Sequence, residues 1–207
     1  TENSLFAMRN DILSSACEEK GLKYEFVNAV DPMSFLGAKG ANEFMREDMS
    51  RRVNTYGKDT AFFSSDCSVQ ATMITEAIRL GAIVPQTGYP SLYTGFPEAF
   101  DVDLEGLWNS PDTVIKKMRT LAAQRGMTGR LSTWSIGSGS VMLEAAVRYA
   151  LFALNTEIAD TVDEEELRAC VDVAVGKNGS VELSVHYDAM TTRSPNAYGI
   201  LADYVIF

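Results

Sequence analysis

The sequence predicts an α/β fold, a mainly parallel sheet sandwiched by helices. Three observations carry that expectation. Helical and strand-like periodicities alternate along residues 4–86, glycines punctuate the helix ends, and an aromatic, turn-rich loop follows the third strand-like run.

The first helix spans about Ser4 to Glu19, where Leu5, Met8, Ile12, Leu13 and Ala16 recur at helical spacing; Gly21 ends it. Tyr24 to Val30 reads as a short strand that stops at Asp31-Pro32. The second helix covers roughly Leu36 to Thr55, with Ala38, Ala41, Phe44, Met45, Met49 and Val53 on its apolar face. Thr60-Ala61-Phe62-Phe63-Ser64 is a second strand, broken by Ser64-Ser65-Asp66, three residues that each cap helix N-termini well. The third helix, Cys67 to Leu80, would bury Val69, Met73, Ile74, Ala77 and Ile78, and Gly81 closes it before the strand Ala82-Ile83-Val84-Pro85. Strands joined by helices of this length need right-handed crossovers, which set them parallel under helices on both faces.

Beyond Thr87 the character changes. Gly88 to Pro97 mixes turn formers with Tyr89, Tyr93 and Phe96, at the carboxyl end of a parallel strand, where open α/β sheets bind ligands. Ser110-Pro111-Asp112 starts a helix with Val114, Ile115, Met118, Leu121 and Ala122 inward, followed by a strand over Leu131 to Ile136. Gly137-Ser138-Gly139-Ser140 opens a helix to about Asn155 that is apolar nearly all round, as suits a helix buried between layers or at an interface. Thr161 and Glu164 have capping-box spacing before a shorter helix with Leu167, Cys170 and Val171. Val181 to Tyr187 alternates as a strand with one wet face, and Tyr198 to Phe207 reads as a closing strand.

Composition bounds the function. The 207 residues include 28 acidic and 18 basic side chains, a net charge of −10, which argues against nucleic acid contact by this segment. With 46% hydrophobic and 22% charged residues the chain is of ordinary globular type. It has no apolar run of about 18 residues, the minimum for a membrane-spanning helix. Thr1-Glu2-Asn3-Ser4 has neither a start methionine nor a signal region, so the chain reads as processed or cut from something longer.

No chemistry of catalysis emerges. Gly137-Ser138-Gly139 sits between a strand and a helix, as a dinucleotide fingerprint does, but Met142 stands where the third glycine belongs, and a plain tight turn is the better reading. A Gly-x-Ser-x-Gly elbow is absent, and the single histidine, His186, falls on a polar strand face beside Glu182 and Ser184. Cys67 lies at a helix N-terminus, which lowers a thiol pKa, yet Asp66 opposes that effect and the bland reading is a small buried residue. Cys17 and Cys170 fall on apolar helix faces, and the three cysteines match no zinc spacing. Asp101, Asp103 and Glu105, like Asp163 to Glu166, lack calcium-loop spacing; solvation and the helix dipole explain them better. No catalytic residue, metal or cofactor is therefore expected. Recognition without chemistry fits better: the strand-end loops offer Ser65, Asp66, Tyr89, Tyr93, Phe96 and Trp134, with Arg9 near the first helix.

These residues carry a resemblance. Met8-Arg9-Asn10-Asp11-Ile12-Leu13, then Thr60 to Asp66, then Gly81-Ala82-Ile83-Val84-Pro85 resembles the second lobe of type I periplasmic-binding proteins. In that superfamily an arginine commonly opens the lobe's first helix and an Asn-Asp-like pair follows an Ala-Ile-Phe strand; Arg9 and Ser65-Asp66 stand there. Thr87-Gly88-Tyr89 lacks the aspartate that often follows, which leaves a sugar ligand unspecified. Tyr56 to Ser64 and Gly129 to Trp134 further resemble an uncharacterised, lipoprotein-like clostridial family of the same fold. The resemblance implies a ligand-binding lobe over residues 1–134, crossing helices of the other lobe over 135–175, closing strands over 176–207, and a first lobe whose opening half precedes residue 1. It implies non-catalytic capture of a small solute by Arg9, Ser65, Asp66, Tyr89, Tyr93 and Trp134, and an extracytoplasmic protein anchored through an upstream lipidated cysteine and serving an ABC-type transporter. The alternatives are an effector-sensing domain of a cytoplasmic transcription regulator and a nucleotide-dependent enzyme using the Gly137–Gly139 turn.

Overall fold

Helices form wherever the apolar spacing calls for them. The computed structural model describes residues 4–108, 110–156, 161–176, 179–188 and 192–207. In the first part of the chain α1 (Ser4–Glu19), α2 (Gly37–Tyr56), α3 (Gln70–Leu80), α4 (Phe96–Phe100) and α5 (Pro111–Gln124) follow one another. Met49 of α2, Met73, Ile74 and Ala77 of α3, and Val114 and Met118 of α5 are fully buried in one core with Val84, Leu92, Phe96 and Leu131. Each large apolar side chain removed from water in this way contributes about 1.5–3 kcal/mol. Asp66 wins the contest among the three candidate caps, its carboxylate accepting from the Ser68 amide at 2.8 Å, and a 3-10 turn over Cys67–Val69 leads into α3.

The core is threaded by four extended segments. Ala61 bridges Ile83 and Val84 bridges Leu131, both in parallel sense. The bonds are Phe62 N–H to Ile83 C=O at 2.8 Å, Ile83 N–H to Thr60 C=O at 3.0 Å, and Val84 N–H to Arg130 C=O at 2.9 Å. β1 (Ser132–Trp134) then pairs antiparallel with β4 (Tyr204–Ile206), Thr133 opposite Val205. The parallel contacts are thus isolated bridges rather than long ladders, and the two named sheets are antiparallel pairs.

A second, smaller core lies beyond β1. α6 (Ser138–Asn155) packs on α7 (Glu164–Val175), and α7 on the hairpin of β2 (Val181–Asp188) with β3 (Thr192–Ala202). Ile136, Val141, Ala145, Cys170, Val171 and Val175 fill it, with Val181 and Leu183 from the inward face of β2.

Several elements differ from the sequence reading. Residues 24–30 form no ladder among the described residues; Phe26 is exposed, and the segment is held through side chains instead, Glu25 pairing with Arg52 at 2.9 Å and Tyr24 donating to Asn10 Oδ1 at 2.9 Å. The closing strand is two strands, because Asp203 breaks the run: β3 continues the second core while β4 crosses to β1. Asp203 accepts from the Ser180 amide at 3.0 Å and its own carbonyl takes the Ser135 amide at 2.9 Å, which turns the chain there. Asp163, not Thr161, caps α7, accepting from the Glu165 and Glu166 amides. α6 is not enclosed: Leu143 is 68% and Leu154 82% exposed, because only its Val141–Ala145 side meets the second core. Cys67 is exposed rather than buried, since it sits in the 3-10 turn before the apolar face of α3 begins, whereas Cys170 is buried as expected. The His186 side chain lies outside the described residues.

Candidate functional site

The aromatic loop after Val84 is built around one buried amide. Gln70, the first residue of α3, has no exposed surface. Its Nε2 donates to the carbonyls of Tyr89 at 3.2 Å and Thr94 at 2.9 Å, and its Oε1 accepts from the Tyr89 amide at 3.2 Å. One side chain therefore satisfies backbone groups at both ends of the loop, which would otherwise be left short of partners in a largely dry setting. Thr87 Oγ1 adds a bond to the Tyr89 carbonyl at 3.2 Å, and Ser91 Oγ accepts from the Tyr93 amide at 3.1 Å.

Two close approaches place this loop between the others. At Gly88 a Cβ would overlap the Ser64 carbonyl oxygen and lie 3.2 Å from the Ser65 carbonyl carbon, so the loop lies directly on the Ser64–Ser65 backbone. Only glycine permits that approach. On the far side a Cβ at Gly139 would overlap the Tyr89 hydroxyl, and one at Gly137 would lie 3.1 Å from the Tyr93 ring. Ser91 bridges Gly137 antiparallel, and Ser138 Oγ donates to the Pro90 carbonyl at 2.8 Å. The glycines of the Gly137–Gly139 turn are thus used to seat tyrosines.

Of the sequence-predicted site residues, Ser65 and Asp66, Tyr89 and Tyr93 meet around this loop. Tyr89 is 42% exposed, and burial pushes the Tyr93 phenol above its ordinary value. Asp66 is already engaged by the Ser68 amide and hydroxyl, the latter at 2.6 Å, so its second oxygen is the one left to receive a donor. The others lie elsewhere. Trp134 packs against the second core, with its indole Nε1 buried and unpartnered among the described residues. Its neighbours' hydroxyls, Thr133 Oγ1 and Ser135 Oγ, are buried and unpartnered as well. Arg9 is half-buried on α1, and among the described residues no hydrogen bond or ion pair joins it to the loop. Phe96 belongs to the first core, edge-on to Phe207 with centroids 5.0 Å apart. Sequence reasoning missed Gln70 and Trp108, whose ring lies 5.6 Å from that of Tyr93 at a 32° tilt. No three His, Cys, Asp or Glu side chains converge on a possible metal position among the described residues.

Fold and site together describe an α/β chain with an aromatic loop seated where extended segments end. The chain belongs to the DUF3798 family, described as proteins of unknown function, whose sequence profile matches residues 2–132. That stretch contains α1 to α5 and the whole of the aromatic loop. No curated protein matches the sequence. A crystal structure of a proposed transcriptional regulator from Clostridium difficile 630 is similar over 100% of this chain, with a TM-score of 0.77 and 19% identity. The chain spans 57% of that protein's length. At this identity the likeness concerns the fold alone.

Proposed function

We propose that this chain captures a small solute, without any covalent step, at the loops formed by residues 64–66 and 87–93, as part of a type I periplasmic-binding-like fold. The observation that carries the reading is the aromatic loop fixed by Gln70 between the Ser64–Ser65 backbone and the Gly137–Gly139 turn. A rigid scaffold presenting exposed tyrosine beside free polar groups is the ordinary construction of a small-molecule site. The two cores, joined through β1 and the β3–β4 bend, fit a protein whose lobes close on a ligand held between them. On this reading the larger core belongs to one lobe and α6, α7, β2 and β3 to another. The solute-binding component of an uptake system outside the cytoplasm, delivering to an ABC-type transporter, would use such a device.

A second reading is favoured by a specific finding. The description of the similar Clostridium difficile protein as a proposed transcriptional regulator agrees with an effector-sensing domain, which would use the same loops to report a solute to an attached DNA-binding segment. The full-length gene separates the two through a lipobox or a helix-turn-helix upstream. Thermal-shift measurements with sugars, nucleosides, amino acids, NAD and ATP test the site itself. Stabilisation by one solute class, lost in Tyr89→Ala, is the expected outcome. Stabilisation by NAD or ATP alone would instead favour a nucleotide-dependent enzyme.

A further inference from the structure

The seated loop continues from Tyr93 into a cleft with its own chemistry. Tyr93 and Trp108, the tilted ring pair, form one wall of an open cleft of about 550 Å³. Trp108 is 60% exposed, so an indole face is presented to whatever enters, whereas the indole nitrogen of Trp134 is buried. Around the rings stand Glu98, Asp101, Asp103 and Glu105, and no lysine or arginine lines the cleft. None of these four carboxylates takes part in an ion pair among the described residues, although seven such pairs occur elsewhere. Asp103 Oδ1 accepts the Glu105 amide at 2.8 Å, which fixes the rim locally. Arg125, which donates to the Ala99 carbonyl at 3.1 Å and lies over the Phe100 ring, is already engaged and does not line the cleft.

We infer that this cleft selects a small organic cation, a quaternary ammonium or a protonated amine. The inference rests on the solute-binding reading above and names the class of its ligand. An electron-rich ring face attracts a cation most strongly when the cation sheds its water cheaply, which favours alkylammonium groups over metal ions. Carboxylates lining the same cleft add long-range attraction and exclude anionic solutes. The same residues offer no convergent oxygen cage, so a divalent metal has no comparable seat here. A neutral sugar would gain from the rings but nothing from the charge.

Calorimetric titration of the whole chain with tetramethylammonium, choline and spermidine, against galactose and sodium chloride, tests the assignment. Saturable binding of at least one organic cation is expected, weakening as ionic strength rises. Trp108→Ala should raise its Kd about tenfold, and so should the paired change Glu98→Gln with Asp101→Asn. All three residues lie on the surface, so far-ultraviolet circular dichroism should show unchanged folding. If galactose binds and Tyr93→Ala abolishes its binding, while the cations do not bind, the cation assignment is overturned and the solute site stands. If neither class binds, both readings fall. If cations bind but neither variant weakens them, their site lies elsewhere and the assignment is overturned.

Discussion

Replacing Gln70 with leucine keeps the side chain's bulk and removes its hydrogen bonds. The Tyr89 amide and the Thr94 carbonyl have no other partner among the described residues, while the Tyr89 carbonyl keeps the Thr87 hydroxyl. Two backbone groups are therefore left unsatisfied, at about 1–3 kcal/mol each, and partial exposure of the loop puts the sum near the lower half of that range, about 2–3 kcal/mol. For a chain of this size that corresponds to a fall in Tm of about 4–12 °C. Urea denaturation with tryptophan fluorescence measures the loss, and Trp108 emission should also change, because the loop that carries Tyr93 is released. Gln70→Glu separates hydrogen bonding from packing. An ionised carboxylate cannot donate to the two carbonyls, so its folded-state pKa should be raised; its destabilisation should be full above that raised value, shrink as pH falls through it, and level off once pH reaches the ordinary glutamate range. A Gln70→Leu loss under about 0.5 kcal/mol would refute the claim that this amide pins the loop.

Other perturbations follow from the same geometry. Gly88→Ala forces a Cβ onto the Ser64 carbonyl and should destabilise by about 2 kcal/mol or more by denaturant titration, far above the effect of Ala at the uncrowded Gly199. Asp163→Ala removes the cap of α7 and should cost about 1 kcal/mol, with Asp163→Asn restoring most of it. Labelling with a thiol reagent should find Cys67 first and Cys170 last, since Cys67 is exposed while burial raises the Cys170 thiol; Cys67→Ser should remove the fast phase. Burial raises the Tyr93 phenol, so the neutral form is favoured in the folded state. Stability from that difference is complete below the ordinary tyrosine pKa and is lost as pH rises through the folded value. Ultraviolet titration should show one late-ionising tyrosine that Tyr93→Phe removes.

Much of the helical framework was legible because it depends on local periodicity. Met73, Ile74 and Ala77 announce their helix by spacing alone, and the glycines at 21, 57 and 81 mark its neighbours' ends and its own. Gln70 was legible too in retrospect, since it sits three, four and seven residues before those apolar positions, a polar residue on a buried stripe. What the amide binds depends on a loop some twenty residues away and could not be read from spacing. Strand partners are equally non-local. Tyr24 to Val30 has strand composition without a ladder, and the tail divides at Asp203 between two sheets because of contacts made by Ser135 and Ser180. The candidate site was legible in part: Ser65, Asp66, Tyr89 and Tyr93 come together because strand ends lie side by side, whereas the orientation of Trp134 toward the second core depends on tertiary packing.

The central claim is that a solute sits on the loop seated between the Ser64–Ser65 backbone and the Gly137–Gly139 turn. Amide chemical-shift mapping, with the solute that stabilises the protein most, tests it directly. The account predicts shifts concentrated at residues 65–66, 88–93 and 137–139, extending to residues 98–108 when the solute is an organic cation. Shifts confined to the α6–α7 surface or to α2, with those three segments unmoved, would contradict it.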